Sequence, residues 1–180
     1  MDYLFLQDFL VSYSLPTLII AFVVCLVRLI LNKFFGTLPK LIKSYIPFLL
    51  AMILYFVYDV IFVIKQIIIT SQTFYGGLIS GSLSAIIFST ITKICKGRPV
   101  GSNATILLIE GILNDYVTQE ALSKTAIEIE QALSSNEGTV LEQQVINTLT
   151  YNCLELSSTE IIYLTKLILS TAKTIQKTKD

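Results

Sequence analysis

The feature that most constrains the fold is a series of three apolar stretches in the first half of the chain. They cover about residues 15–35, 45–66 and 74–94. Each is close to the roughly 20 residues that a helix needs to cross the hydrocarbon core of a bilayer. The chain is 14% charged, with a mean hydropathy of +0.71, whereas soluble domains are about 25% charged. The sequence therefore predicts an all-α membrane protein with about three transmembrane helices.

Charge divides the chain into two regions. Residues 1–100 carry three acidic and eight basic side chains, whereas residues 101–180 carry ten acidic and five basic ones. We therefore predict a membrane domain over 1–96, a linker with a short apolar segment over 97–117, and a small cytoplasmic domain of three helices over 118–180. For the apolar segment, a short helix on the membrane surface or on the tail domain is favoured over a strand.

The basic residues also predict an orientation. They flank the first and third stretches on one side of the membrane, at Lys33, Lys40, Lys43, Lys93, Lys96 and Arg98. Because positive loops stay inside, we expect the N-terminus outside and residues 95–180 in the cytoplasm of a bacterial cell. The N-terminus lacks the basic region of a secretory signal peptide, so we expect the first stretch to remain in the mature protein.

Helical periodicity is clear in the acidic tail. The spacing of Leu122, Ala126, Ile129 and Leu133 predicts a helix over about 119–134. Two further helices are predicted to begin at capping boxes, Thr139 to Glu142 and Ser157 to Glu160, and to end near residues 153 and 175. Three amphipathic helices joined by short turns indicate a small bundle.

Small residues recur every four positions in the third apolar stretch, at Gly77, Gly81, Ala85 and Ser89. Such spacing lets the backbones of membrane helices approach each other closely. We interpret this face as an oligomer interface or a pore wall, with packing against the first two stretches as the equally weighted alternative.

Arg28 and Asp59 are charged residues near the middle of the first and second stretches. A charge inside the bilayer is costly unless it is paired. We therefore predict an ion pair between Arg28 and Asp59, with the alternative that one of them lines a water-filled path.

Catalytic and cofactor motifs are missing from the sequence. There is no His, which is the usual general base near neutral pH and a common metal ligand. No phosphate-binding loop, nucleophile elbow or paired-carboxylate motif occurs, and the acidic tail offers no basic face for nucleic acid. We expect a protein that is not an enzyme and that binds no cofactor, metal or nucleic acid.

The order of elements in the tail resembles that of phage LL-H-type holins. The similar region runs from the helix over 126–133, through the turn at Gly138, to the helix over 145–156 and the serine-acid start at 157–160 that leads into 161–172. In that family a membrane helix is joined to a short helical cytoplasmic domain. The present chain has three predicted spans where that type has one.

Three hypotheses follow for function. The leading one is a small self-associating membrane protein of the holin kind, which oligomerises and permeabilises the cytoplasmic membrane. The alternative is a membrane-anchored, non-enzymatic adaptor whose helical tail binds a protein partner. A subunit of a transporter or membrane enzyme is the third, and it would depend on Arg28 or Asp59. The lipid bilayer is the expected environment in each case.

Overall fold

The computed structural model describes residues 13–34, 39–63, 70–97, 100, 103–153 and 156–177. All regular structure in these residues is helical, which confirms the all-helical prediction. The α-helices are α1 (Leu15–Phe34), α2 (Lys40–Tyr58), α3 (Ser71–Cys95), α4 (Ala104–Leu113), α5 (Leu122–Ser135), α6 (Gly138–Asn152) and α7 (Ser158–Lys177). A π-helical turn, Asp59–Val63, extends α2. The N-terminal aspartates and the side chains of Lys33, Lys40, Lys43, Lys65 and Arg98 lie outside the described residues.

Helix α3 is the centre of the structure, because it contacts α1, α2, α4 and α7. All its side chains from Ser80 to Ile86 are buried. The hydroxyl of Thr70 accepts a hydrogen bond from the backbone N–H of Thr73, at 3.1 Å, and caps the first turn. At the other end Gly97 has a φ of +65°. This left-handed backbone, which glycine adopts at little cost, ends the helix.

Two segments are long and apolar enough to cross a membrane, as judged by length and composition. They are Ser44–Val63, which includes the π-helical turn, and Ser71–Cys95. The apolar part of α1, Leu15–Ile30, falls short of the required length. Among the described residues, these criteria therefore give two candidate spans where the sequence predicts three.

Helix α4 occupies the region that the sequence assigns to a linker and a short apolar segment. Its side chains from Leu107 to Leu113 are all buried, and it contacts α3, α5 and α7. A single hydrophobic cluster runs from Ala21 and Phe48 through α4 to Leu164 in α7. The tail helices and the apolar helices therefore share one core.

The two predicted capping boxes have different outcomes. Glu160 accepts hydrogen bonds from the backbone N–H of Ser157 at 2.9 Å and from its hydroxyl at 2.7 Å. These bonds lower the pKa of Glu160, and this box is confirmed. The box at Thr139 is wrong, because α6 begins one residue earlier, at Gly138 with a φ of +60°. Glu137 precedes it without a side-chain cap hydrogen bond.

The contact between α3 and α4 depends on the absence of a side chain at Gly111. A Cβ atom at this position would collide with the backbone carbonyl of Ala85. Backbone atoms of a packed helix cannot rotate out of the way as a flexible side chain would. Gly111 therefore determines how closely α4 approaches α3.

We expect Gly111→Ala to destabilise the protein by about 1–3 kcal/mol, the usual cost of overpacking a core. The gain in helix propensity from alanine offsets only part of this. Thermal unfolding in detergent, followed by circular dichroism, measures the effect as a lower Tm. Ser135→Ala, at an exposed position of α5, serves as the control with an unchanged Tm. An unchanged Tm for Gly111→Ala would contradict the close packing.

Candidate functional site

The side chain of Arg28 is buried where α1 meets α3 and α4. Its Nη2 atom donates a hydrogen bond to the backbone carbonyl of Gly111 at 2.9 Å. The same atom lies 3.8 Å from a carboxylate oxygen of Asp115, an ion pair too long for a hydrogen bond. The guanidinium also stacks over the ring of Phe88, 4.0 Å from its centroid, and such a contact stabilises a desolvated cation.

These partners differ from the predicted one, Asp59. Arg28 and Ser44 lie at the same level of the bundle, because they donate hydrogen bonds to the neighbouring carbonyls of Gly111 and Ile112. Asp59 is fifteen residues beyond Ser44 along α2, which corresponds to about 22 Å at 1.5 Å per residue. It is buried in the π-helical turn. Both residues are described by the structure, and Arg28 and Asp59 do not form an ion pair with each other.

A second buried charge cluster surrounds Glu110 on α4. This side chain is fully buried, and its Oε2 atom lies 2.7 Å from the Lys93 ammonium. The same oxygen accepts a hydrogen bond from the hydroxyl of Ser89 at 3.3 Å, and Oε1 accepts one from Ser123 at 2.8 Å. Both carboxylate oxygens are thus satisfied by α3 and α5, so the cluster joins three helices.

The predicted small-residue face of α3 is buried within the chain. A Cβ atom at Gly77 would lie 2.7 Å from the Cα atom of Met52, and one at Gly81 would lie 2.7 Å from Cδ1 of Phe48. Both glycines therefore allow α2 to pack closely on α3. This arrangement corresponds to the packing alternative for that face.

The other two members of the face lie against α4. The backbone of Ala85 is in contact with Gly111, and the hydroxyl of Ser89 reaches the carboxylate of Glu110. The four small residues thus meet two different helices of the same chain, and the described contacts leave this face no surface for a second copy.

The space beside the Glu110 cluster is small. A cavity of about 10 Å³ lies there, which is room for about one water molecule. Its lining includes Ser89, Lys93, Asn114, Gln119 and Ser123. A larger apolar cavity of about 260 Å³ opens between α2 and α3 and is lined by Leu49, Met52, Ile53, Phe56, Thr73 and Phe74. Neither cavity combines the volume of a small-molecule site with convergent polar groups.

Of the residues that form these clusters, the sequence patterns single out Arg28 and Ser89 but not their partners Asp115 and Glu110. Lys93 contributes only to the predicted orientation, and Glu110 falls within the region predicted as a linker with a short apolar segment, 97–117. The available signal was a lone carboxylate inside an apolar run, because such a group needs a partner when it is buried. Tyr116 is a further member of this region, and burial raises its pKa.

Comparison of the chain with protein-family models, with curated proteins and with solved structures found no match. Within the described residues no group of three or more Cys, Asp or Glu side chains is arranged to hold a metal ion. The chemistry of the buried clusters is therefore the only guide to their role. Their charges are paired and removed from solvent, an arrangement suited to joining helices.

We expect Lys93→Met to destabilise the protein by about 3–5 kcal/mol, because it leaves the Glu110 carboxylate buried without its cation. Adding Glu110→Leu should restore most of this loss, since an apolar pair can replace a buried ion pair. Chemical unfolding of Lys93→Met, Glu110→Leu and the double variant in detergent micelles completes a double-mutant cycle.

The control is Lys124→Met, which removes a lysine that is 81% exposed from its pair with Glu128. Exposed pairs contribute about 0–1 kcal/mol, so little change is expected. Equal effects of Lys93→Met and Lys124→Met would contradict the structural role of the buried pair.

Proposed function

We propose that this protein is a non-enzymatic integral membrane anchor that holds an acidic helical surface at the cytoplasmic face of a bilayer. The observation that carries the proposal is a belt of exposed apolar side chains on α1, α2 and the π-helical turn, called the apolar belt below. Its members are Leu15, Ile19, Phe22, Val23, Leu26, Leu29, Ile30, Ile42, Leu49, Ile53, Val57, Ile61, Phe62 and Val63.

The distribution of exposed apolar residues supports a lipid environment for this half of the chain. Of the 22 large apolar side chains that are exposed in the described part, 17 precede residue 97. Soluble proteins rarely expose contiguous apolar patches beyond a few hundred Å². Within the belt the backbone is helical throughout, which satisfies its polar groups without water.

The proposed topology has three crossings, by α1, α2 with its π-helical turn, and α3. The apolar part of α1 is shorter than the two candidate spans, but the whole helix has 20 residues and packs on α3, so in this proposal it crosses beside them. We retain the orientation with the N-terminus outside, which rests on the positive-inside rule. Arg28 and Glu110 then lie toward the cytoplasmic end of the bundle.

In this proposal the surface of α5 and α6 is the part of the protein that binds a partner. These two helices carry Glu128, Glu130 and Glu142 against one lysine, Lys124, and the side chains of Glu120 and Glu137, which flank them, are exposed. Because α4 and α7 pack against α3, this surface is held rigidly beside the membrane. A protein partner with a basic face is the complementary occupant.

We expect Ile53→Lys to reduce membrane integration strongly. Ile53 is 59% exposed, so lysine fits the fold without a clash, but near the centre of a span it costs about 3 kcal/mol in lipid. Alkaline carbonate extraction of bacterial membranes measures the integrated fraction. Ile127→Lys, at a 42% exposed position on α5, is the matched control and should leave integration unchanged.

A wild-type chain that carbonate releases in full would contradict the anchor. So would equal extraction of the two lysine variants, because the belt would then not be distinguished from the surface of the tail.

A holin-like pore is the second candidate, and one observation favours it. The hydroxyls of Ser84 and Thr90 are buried on α3 without a hydrogen-bond partner, which is costly in a closed bundle. A rearranged oligomer in which these hydroxyls line a water-filled path would hydrate them. Such a state requires the helices that cover these hydroxyls to move away from α3.

For the pore, expression in bacteria should depolarise the cytoplasmic membrane, as followed with a potential-sensitive dye. Ser84→Ala with Thr90→Val removes both unpartnered hydroxyls and should reduce the depolarisation several-fold, whereas Ser71→Ala at an exposed site should leave it unchanged. An integrated wild-type protein that leaves the potential intact would rule the pore out.

A further inference from the structure

Helix α7 differs in charge from the rest of the tail. Residues 158–180 contain four of the five lysines that follow residue 100 and only two of the ten acids. Their formal charge is +2, whereas residues 101–157 carry −7. The tail therefore has an acidic segment followed by a basic one, although its net charge is −5.

One face of α7 is unburied and combines apolar and basic side chains. Ile162, Lys166, Ser170 and Lys173 are exposed and follow each other at spacings of four, four and three residues. On a helix these positions lie within one sector. Tyr163 is exposed beside them. Tyrosine and an aliphatic residue next to lysines are typical of a helix at a membrane interface.

The beginning of this face lies at the end of a candidate span. The hydroxyl of Tyr45 donates a hydrogen bond of 2.7 Å to the backbone carbonyl of Tyr163. Tyr45 is the second residue of the segment Ser44–Val63, which is long and apolar enough to cross a bilayer. This bond fixes Tyr163 at the level where the chain leaves the hydrocarbon.

We propose that the exposed face of α7, formed by Ile162, Tyr163, Lys166, Ser170 and Lys173, binds the anionic headgroups of the leaflet that the spans enter. The inference rests on the proposed membrane anchor. Its argument is the charge complementarity of the lysines with anionic lipid and the continuity of Tyr163 with the end of the span. The acidic surface of α5 and α6 then faces away from the membrane.

The test uses the full chain reconstituted in vesicles, with an environment-sensitive dye on Ser170→Cys. The exposed Cys95 is replaced by Ser, while Cys25 and Cys153 are buried. Vesicles of phosphatidylcholine alone are compared with vesicles that also contain phosphatidylglycerol. We expect a blue shift of the dye emission and quenching by headgroup spin labels with the anionic lipid, both reversed by high salt.

Two comparisons make the result specific. Lys166→Gln with Lys173→Gln should abolish the lipid-dependent shift, whereas Lys124→Gln on α5 should preserve it. A dye on Gln131→Cys, an exposed position of α5, should show no shift in either vesicle.

Flotation of the same vesicles separates the two proposals. If the protein floats and resists carbonate, but the emission of the dye at residue 170 does not change with anionic lipid, this inference is overturned and the membrane anchor is still supported. Protein that does not float overturns both. An emission shift that depends on the protein-to-lipid ratio and persists in phosphatidylcholine would indicate that the face binds a second copy of the chain. That result would overturn lipid binding.

Discussion

The burial of the Glu110 carboxylate is the constraint on which the arrangement of the two halves depends. A carboxylate on an apolar helix is costly to bury unless it is paired and hydrogen-bonded, and the ammonium of Lys93 provides the charge partner. Because Lys93 lies near the end of α3, the pair fixes where α4 docks. Arg28 completes the arrangement from α1 by binding the carbonyl of the next residue, Gly111.

Because of this docking, the apolar helices and the tail helices share one hydrophobic core. Sixty or so residues are close to the lower limit for an independent core, and here the tail helices complete their core with side chains of α3 and α4. The polar contacts at Glu110 and Arg28 give the docking one geometry, whereas apolar packing alone would tolerate several.

The helices themselves were accessible from the sequence, because apolar periodicity and local capping depend on residues close together in the chain. The tail helices follow their predicted ranges within a few residues, and the Ser157 box depends on a contact three residues apart. The box at Thr139 is wrong because the helix begins at Gly138 with Glu137 at the N-cap position, so Thr139 lies inside the first turn. The partner of Arg28 was not accessible, since it is 83 residues away and periodicity carries no information on which helix faces which.

The close approach of Gly111 to Ala85 has a consequence for biosynthesis. The ribosome delivers α1, α2 and α3 before α4, since a chain is made from its N-terminus. Until residue 111 emerges, the guanidinium of Arg28 lacks its carbonyl partner and α3 lacks two of its four neighbours, α4 and α7. The bundle is therefore completed by helices that are translated after the three apolar ones. A chain interrupted before residue 104 would contain those three apolar helices without the polar contacts that α4 provides.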